Sequence, residues 1–340
     1  MTQLHSTQEG RPLASEVLDP RAIARPPKGI ELVADRSFRW ISSIFGWLTI
    51  LVVVLIVGMI GWQALPAIRA YGTKFITERV WDAGKGQYGI LPEIWGTMYS
   101  SVIGVAIGSF FGVVVAIFLT QQFIPRRLED IFKTIINLLA AIPSVVYGLW
   151  GIFVVIPAIR PSCNWLHGHL AWIPTFSTPL LSVGLLPAAL VLAIMVLPTV
   201  TAISRDSLAA VNPKLREAAF GLGATRWETI LAVTLPTSKR GIYGSIVLGF
   251  GRAIGETMAL AMLVGSTNVI SPSIFSPADT LAALLANKFP EAASPIDLGV
   301  LMYAALVLLG LTLLVNVAGE LVISRDFGGT AAPVKKGVPK

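Results

Sequence analysis

Long apolar runs alternate with short charged segments along this chain. A bilayer hydrocarbon core needs about 20 apolar residues per helix, and six runs reach that length. The first, Trp40 to Ile68, lies between Arg39 and Arg69, with Trp40, Trp47 and Trp62 placed as interfacial anchors. The second lies between Glu93 and Arg126 and holds Ser100–Thr120. The third falls between Lys133 and Arg160, and the fourth runs from about Leu180 to Ser204. The fifth starts after Lys239-Arg240 and extends to about Ser266; the sixth runs from about Leu298 to Ile323. The pattern predicts an all-α membrane protein with six transmembrane helices. It divides the chain into a flexible N-terminal tail (1–36), a first transmembrane helix (37–68), an outer loop (69–94), a core of helices two to six (95–325) and a C-terminal tail (326–340). Within the core, the longest inner connection is 205–240. No loop is long enough for an independent domain, and no internal repeat is evident.

Composition agrees with membrane embedding. Of 340 residues, 54% are hydrophobic and only 13% charged, about half the charged share of a soluble domain. Mean hydropathy is +0.73. The net charge of +7 and a pI near 9.7 leave a nucleic-acid partner open until the positive charges are placed. With the N-terminus inside, 19 of the 26 Lys and Arg fall in 1–39, 121–133, 205–240 and the C-terminal end from Arg325 on. The outer loops hold six, and Arg252 lies inside a span. Cytoplasmic loops of membrane proteins carry this excess. The basic balance is therefore a topology signal, with both termini cytoplasmic, and no nucleic-acid partner is implied. The first ~36 residues are polar, and the apolar run after them is far longer than the h-region of a signal peptide.

Catalytic motifs are missing. No Walker A pattern, His-Glu-x-x-His or Gly-x-Ser-x-Gly occurs. Gly249-Phe-Gly251-Arg-Ala-Ile-Gly255 places its third glycine one position too late for a dinucleotide loop and sits inside an apolar span. Cys163, His167 and His169 match no standard zinc spacing and read as polar residues of a loop. The chain is expected not to be an enzyme and to need no cofactor. If it moves a solute uphill, a partner or an ion gradient must supply the energy.

The 205–240 segment is the most informative. Asn212 suits an N-cap and Pro213 the first helical position, so Lys214 to Leu222 reads as a short helix ended by Gly221 and Gly223. A second amphipathic segment, Arg226 to Leu235, is expected to be broken by Pro236. Here Glu217-Ala218-Ala219, three residues, Gly223, nine residues, Val233-x-Leu235-Pro236 resembles the EAA signature of ABC-importer permease subunits, with valine in place of the usual isoleucine. The resemblance implies the type I ABC-importer permease fold, with Glu217, Ala218, Ala219 and Gly223 on a coupling helix that inserts into an ATPase subunit.

Span five carries Arg252 and Glu256, spaced i,i+4 on one helical face and able to pair. Intramembrane charges mark pathways, and the Arg fork suits an oxyanion; a structural ion pair is the alternative. Gly251 and Gly255 leave room for a neighbouring helix, and Pro143 is expected to kink span three. Gly251-Arg-Ala-x-Gly-Glu-Thr257 resembles the phosphate-specific (Pst) branch of the permeases. So do Ala140-Ala-Ile-Pro-Ser-Val-Val-Tyr-Gly-Leu-Trp-Gly151 and Tyr88-Gly-Ile-Leu-Pro92 with Gly96-Thr97. The Tyr-Gly-Leu-Trp form is closer to PstC-type than to PstA-type subunits. The resemblance implies passage of inorganic phosphate past Arg252 and Glu256. Its implied partners are a PstA-like second permease, a PstB-like ATPase dimer that binds the ATP, a PstS-like binding protein and the lipids of a bacterial inner membrane. A PstA-type role, another oxyanion (sulfate, molybdate or phosphonate) or an ion-gradient-driven carrier remain open at this point.

Overall fold

The computed structural model describes residues 29–121 and 123–327. The two tails beyond them, most of 1–36 and of 326–340, lie outside the described residues. The chain forms two compact units, 1–58 and 59–340. What is described of the first is helix, the beginning of α1 (Gly29–Tyr71). Helix therefore already covers 29–36, which the apolar pattern assigns to the tail. Trp40 and Trp47 are among its most exposed side chains.

In the second unit, a four-residue helix α2 (Lys74–Thr77) and a two-stranded antiparallel ribbon, β1 (Trp81–Asp82) with β2 (Gln87–Tyr88), fill the expected outer loop. The long α3 (Leu91–Thr120) follows, then the amphipathic α4 (Arg126–Ala141). α5 (Ser144–Trp150) passes through a π-helical segment at Gly151–Val155 into α6 (Ile156–Leu170). α7 (Leu185–Ala209) leads to the short α8 (Pro213–Gly221). α9 (Arg226–Thr229) continues through a second π-helical segment, Ile230–Thr234, into α10 (Leu235–Ile254). α11 (Met258–Leu263), α12 (Leu281–Lys288) and α13 (Pro295–Phe327) complete the chain.

Among the described residues, five helical stretches are long and apolar enough to cross a bilayer: 35–71, 91–120, 144–170, 185–209 and 295–325. α10 occupies the place of the remaining expected span, but Lys239 and Arg240 lie near its start and shorten its apolar part.

α3 and α7 form the centre. Gly104, Gly108 and Gly112 recur every fourth residue on α3, so they line one face of it. That face lies directly on the α7 backbone. A Cβ at Gly108 would stand 2.6 Å from the Ala193 carbonyl oxygen, and the Thr201 hydroxyl donates to the Gly112 carbonyl at 3.2 Å. Small residues permit this approach, which dispersion and interhelical hydrogen bonds then stabilise in a medium as apolar as the side chains. Beside it, Tyr147, Leu185, Val191, Leu260 and Leu263 bury an apolar cluster between α5, α7 and α11.

Three expectations are corrected. The third apolar run is not one helix. α4 stops at Ala141, Ile142 adopts φ −69°, ψ 128°, and helix resumes after Pro143. Proline pushes the preceding residue into the β region, so the chain breaks rather than kinks, and the Tyr147 hydroxyl bridges the break to the Leu139 carbonyl at 2.7 Å. Helix then continues past Arg160, so Cys163, His167 and His169 sit on α6 rather than in a loop. The imidazoles of His167 and His169 engage separate carbonyls, those of Phe176 and Trp165. Finally, Pro236 does not interrupt its segment. The ladder widens to a π turn just before it, with Leu235 N–H on the Ile230 carbonyl, and helix runs unbroken from Arg226 to Ile254. The same device precedes Pro157, where Ile156 N–H reaches the Gly151 carbonyl.

Candidate functional site

The inner connection builds its helix as the sequence suggests. The Asn212 side chain accepts from Lys214 N–H at 3.0 Å, and Pro213 opens α8. At the other end Gly223 N–H bonds the Phe220 carbonyl and Ala224 N–H the Ala219 carbonyl, the paired bonds of a Schellman cap. That cap needs a left-handed residue, and Gly223 has φ +88°. Thr225 and Glu228 then form a reciprocal capping box that starts α9, and the backbone bond from Thr225 holds the Glu228 carboxyl below the usual range.

α8 buries none of its residues. Glu217 and Ala218 are exposed, and Ala219 is half-buried. Leu215, Phe220, Leu222 and Trp227 are exposed nearby, Leu222 at 90%. Glu217, Arg216 and Phe220 border a cavity of ≈ 230 Å³ against Thr120 and Gln121 at the end of α3. The result is a small-residue helix with an apolar rim and a single carboxylate, open to a partner surface.

The expected Arg252–Glu256 pair is not formed. α10 ends at Ile254, so the two residues no longer share a helical face. Glu256 N–H reaches back only to the Ala253 carbonyl at 3.3 Å. Its side chain turns to the next helix, where Oε1 accepts from Ala259 N–H at 3.3 Å. Arg252 remains on α10, exposed and without an ion pair among the described residues, within electrostatic reach of Tyr147. Gly251 does receive a neighbouring helix: a Cβ there would lie 2.8 Å from Asn316 Oδ1 on α13. No neighbour reaches Gly255.

Arg252 lines one end of a groove of ≈ 590 Å³ between α10 and α13, whose floor includes Gly241, Gly244, Asn316 and Glu320. Sequence reasoning missed Asn316 and Glu320. The signal was present, since Glu320 is a carboxylate inside the sixth apolar run. It also missed a buried acidic pair. Glu93, in the first turn of α3, is fully buried and neither carboxylate oxygen has a partner. Asp279, which precedes α12, lies within electrostatic reach of it. Burial pushes the Asp279 carboxyl up to about 6, against the Thr280 N–H bond and the Lys288 charge that lower it. No sequence signal joins positions so far apart; the chain fold does.

Residues 108–325 match the sequence profile of the binding-protein-dependent transport system inner membrane component family. The chain belongs to that family. Across 312 residues it is 36% identical to the phosphate transport system permease protein PstC of Mesorhizobium japonicum, over 87% of this chain and 94% of that protein. The same-named protein of Haemophilus influenzae is 38% identical over 84% of this chain and 92% of its own length. In three dimensions the chain resembles a chain of a bacterial ABC transporter involved in alginate import. The TM-score is 0.58 at 16% identity, over 86% of this chain and 98% of that one. A chain of the MetNI methionine ABC transporter in an inward-facing conformation gives 0.52 at 18% identity, over 69% and 95%. The all-α fold is thus that of ABC-importer permeases, and this family member is a multi-pass membrane transport component.

Proposed function

We propose that this chain is the permease subunit of an ATP-driven importer of inorganic phosphate, PstC-like in role. The observation that carries the assignment is identity above 35% with phosphate transport permeases over nearly their whole length. The exposed, doubly capped α8 supports it as a surface built for docking. On this reading ATP is bound and hydrolysed by a separate, PstB-like ATPase dimer; this chain needs no cofactor of its own. A PstA-like permease completes the membrane path, and a PstS-like protein delivers phosphate on the outer side of the inner membrane. Both termini lie in the cytoplasm, as the charge sorting of the loops indicates.

The geometry suggests how coupling reaches the path. α8 is the ATPase contact through Glu217, Ala218 and Ala219, with Gly223 setting its exit angle. From Arg226 the helix runs without interruption to Ile254, roughly 40 Å at about 1.5 Å per residue. Arg252 stands near the far end of that rod. A displacement of α8 by the closing ATPases therefore moves the α10 wall and its guanidinium, which offers two parallel donors to an oxyanion. Glu256 acts at the same level by holding the start of α11, fixing the end of the rod rather than neutralising Arg252.

The test is uptake into vesicles containing the full complex, with ATP and binding protein supplied. Labelled phosphate should accumulate, and sulfate or molybdate should not compete. Arg252→Gln should abolish uptake while the complex still assembles. Equal competition by sulfate would replace phosphate as substrate, and wild-type uptake by Arg252→Gln would remove that residue from the path.

A further inference from the structure

Resting on the phosphate-importer assignment above, the groove between α10 and α13 carries more chemistry than an anion path defined by one arginine. Thr312, Asn316 and Glu320 are spaced four apart on α13, which places them on one face, and all three line the groove. Thr312 satisfies its own hydroxyl on the Leu308 carbonyl. The side chains of Asn316 and Glu320 make no hydrogen bond or ion pair among the described residues, and both are exposed on this chain. Glu320 lies within an apolar stretch, 295–325, long enough to cross a bilayer, and a carboxylate in such a helix turns to a water-filled path or another protein surface rather than to lipid. α13 runs antiparallel to α10: Asn316 lies against Gly251, and Gly319 lies against Val247. Asn316 is thus level with Arg252, and Glu320 lies one turn further toward the inner side.

A carboxylate in an anion path repels the anion unless the anion can donate to it. Monohydrogen and dihydrogen phosphate carry a P–OH at neutral pH; sulfate and molybdate carry no proton. We propose that Asn316 and Glu320 form the second wall of the path. The Asn316 amide donates to the oxyanion held by Arg252, and Glu320 accepts the hydrogen bond of the substrate P–OH. Glu320 is then the specificity-determining residue of the membrane path. A site built to pair a substrate hydroxyl rejects an analogue that lacks it far more strongly than shape alone can.

The experiment uses the complete complex in proteoliposomes, with binding protein outside and the ATPases and ATP inside. Phosphate uptake, ATP hydrolysis and thermal stability are measured for wild type, Asn316→Leu, Glu320→Gln and Glu320→Asp. Asn316→Leu and Glu320→Gln should lower maximal uptake by about tenfold or more, the loss expected for a hydrogen bond to a charged group. Binding-protein-stimulated hydrolysis and the melting temperature should be retained, and Glu320→Asp should recover much of the uptake. Sulfate enclosed on the ATPase side should inhibit Glu320→Gln, whose amide can donate, and not wild type. Uptake by Glu320→Gln within twofold of wild type would overturn the role of Glu320. Loss of uptake together with hydrolysis and stability would assign it to structure instead, and unchanged sulfate insensitivity would remove it from selectivity. Failure of wild type to import phosphate would overturn the functional assignment, not the geometry of this wall.

Discussion

Gly221 and Gly223 both stand at the end of α8, and only one of them is there for its backbone. A Cβ at either position meets nothing within 4 Å, so alanine costs no steric overlap within this chain. Gly221 has helical dihedrals, whereas Gly223 has φ +88°. An L-residue in the left-handed region costs about 1–2 kcal/mol, which lowers the equilibrium constant for the capped conformation, and at most its population, roughly 5–30-fold. If an ATPase subunit docks onto α8 only in that conformation, Gly223→Ala should weaken its association by the same factor. Gly221→Ala should leave association unchanged or slightly tighter, since alanine is the better helix former. The assay titrates purified ATPase subunit onto the detergent-solubilised permease pair and reads half-saturation of ATP hydrolysis. Gly223→Asn sharpens the comparison, because asparagine tolerates the left-handed region better than other side chains. A backbone role predicts that asparagine outperforms alanine. A role in which the partner needs bare space at 223 predicts that the larger asparagine is worse. That second order, or a Gly223→Ala complex within twofold of wild type, would refute the conformational argument.

Two further outcomes follow from packing and burial. Gly108→Ala puts a methyl 2.6 Å from the Ala193 carbonyl and must part α3 from α7, destabilising the fold by about 1–3 kcal/mol. Thermal unfolding in detergent should show it, with Gly168→Ala, which meets nothing within 4 Å, as a control that does not melt earlier; equal melting of the two would disprove the close contact. For Asp279, the folded carboxyl titrates at about 6 against a reference of 3.8, so the folded state holds its proton more tightly. The associated stability is fully present below pH 3.8 and lost as pH rises through about 6, about 3 kcal/mol in all. Asp279→Asn should flatten the melting profile across that window, and an unchanged pH slope would refute it.

Much of this was legible because it is local. Apolar run length located the long helices, and Asn212, Pro213 and Gly223 marked α8 through contacts within a few residues. The breaks were not legible, because each depends on what the chain does next in space. Ile142 could have continued the helix, as helix continues through Pro161 and Pro198. Here the Tyr147 hydroxyl accepts the role of partner for the freed Leu139 carbonyl, and the break persists. At Pro157 and Pro236 a π turn absorbs the missing donor instead. Glu93 and Asp279 are neighbours only because α3 and the segment before α12 pack so closely that a Cβ at Gly96 would overlap the Asp279 carbonyl.

The fate of the Arg252–Glu256 spacing shows where such reasoning fails. An i,i+4 pair is a contact only while the helix continues, and nothing at positions 252 to 256 forbids that continuation: Gly255 lowers helix propensity without ending a helix by itself. The termination at Ile254 goes with α11, which packs against α5 and α7 around Leu260 and Leu263 and cannot lie collinear with α10. Glu256 is thereby recruited to the Ala259 amide, and Arg252 is left without the carboxylate that its sequence neighbourhood offers. A guanidinium kept unpaired has no internal pair to break before an anion binds, which is what the proposed path requires of Arg252. The carboxylate in the same groove, Glu320, lies more than sixty residues later in the chain, on α13; in the proposed path, the helical turn between it and the level of Arg252 is the space that phosphate would occupy.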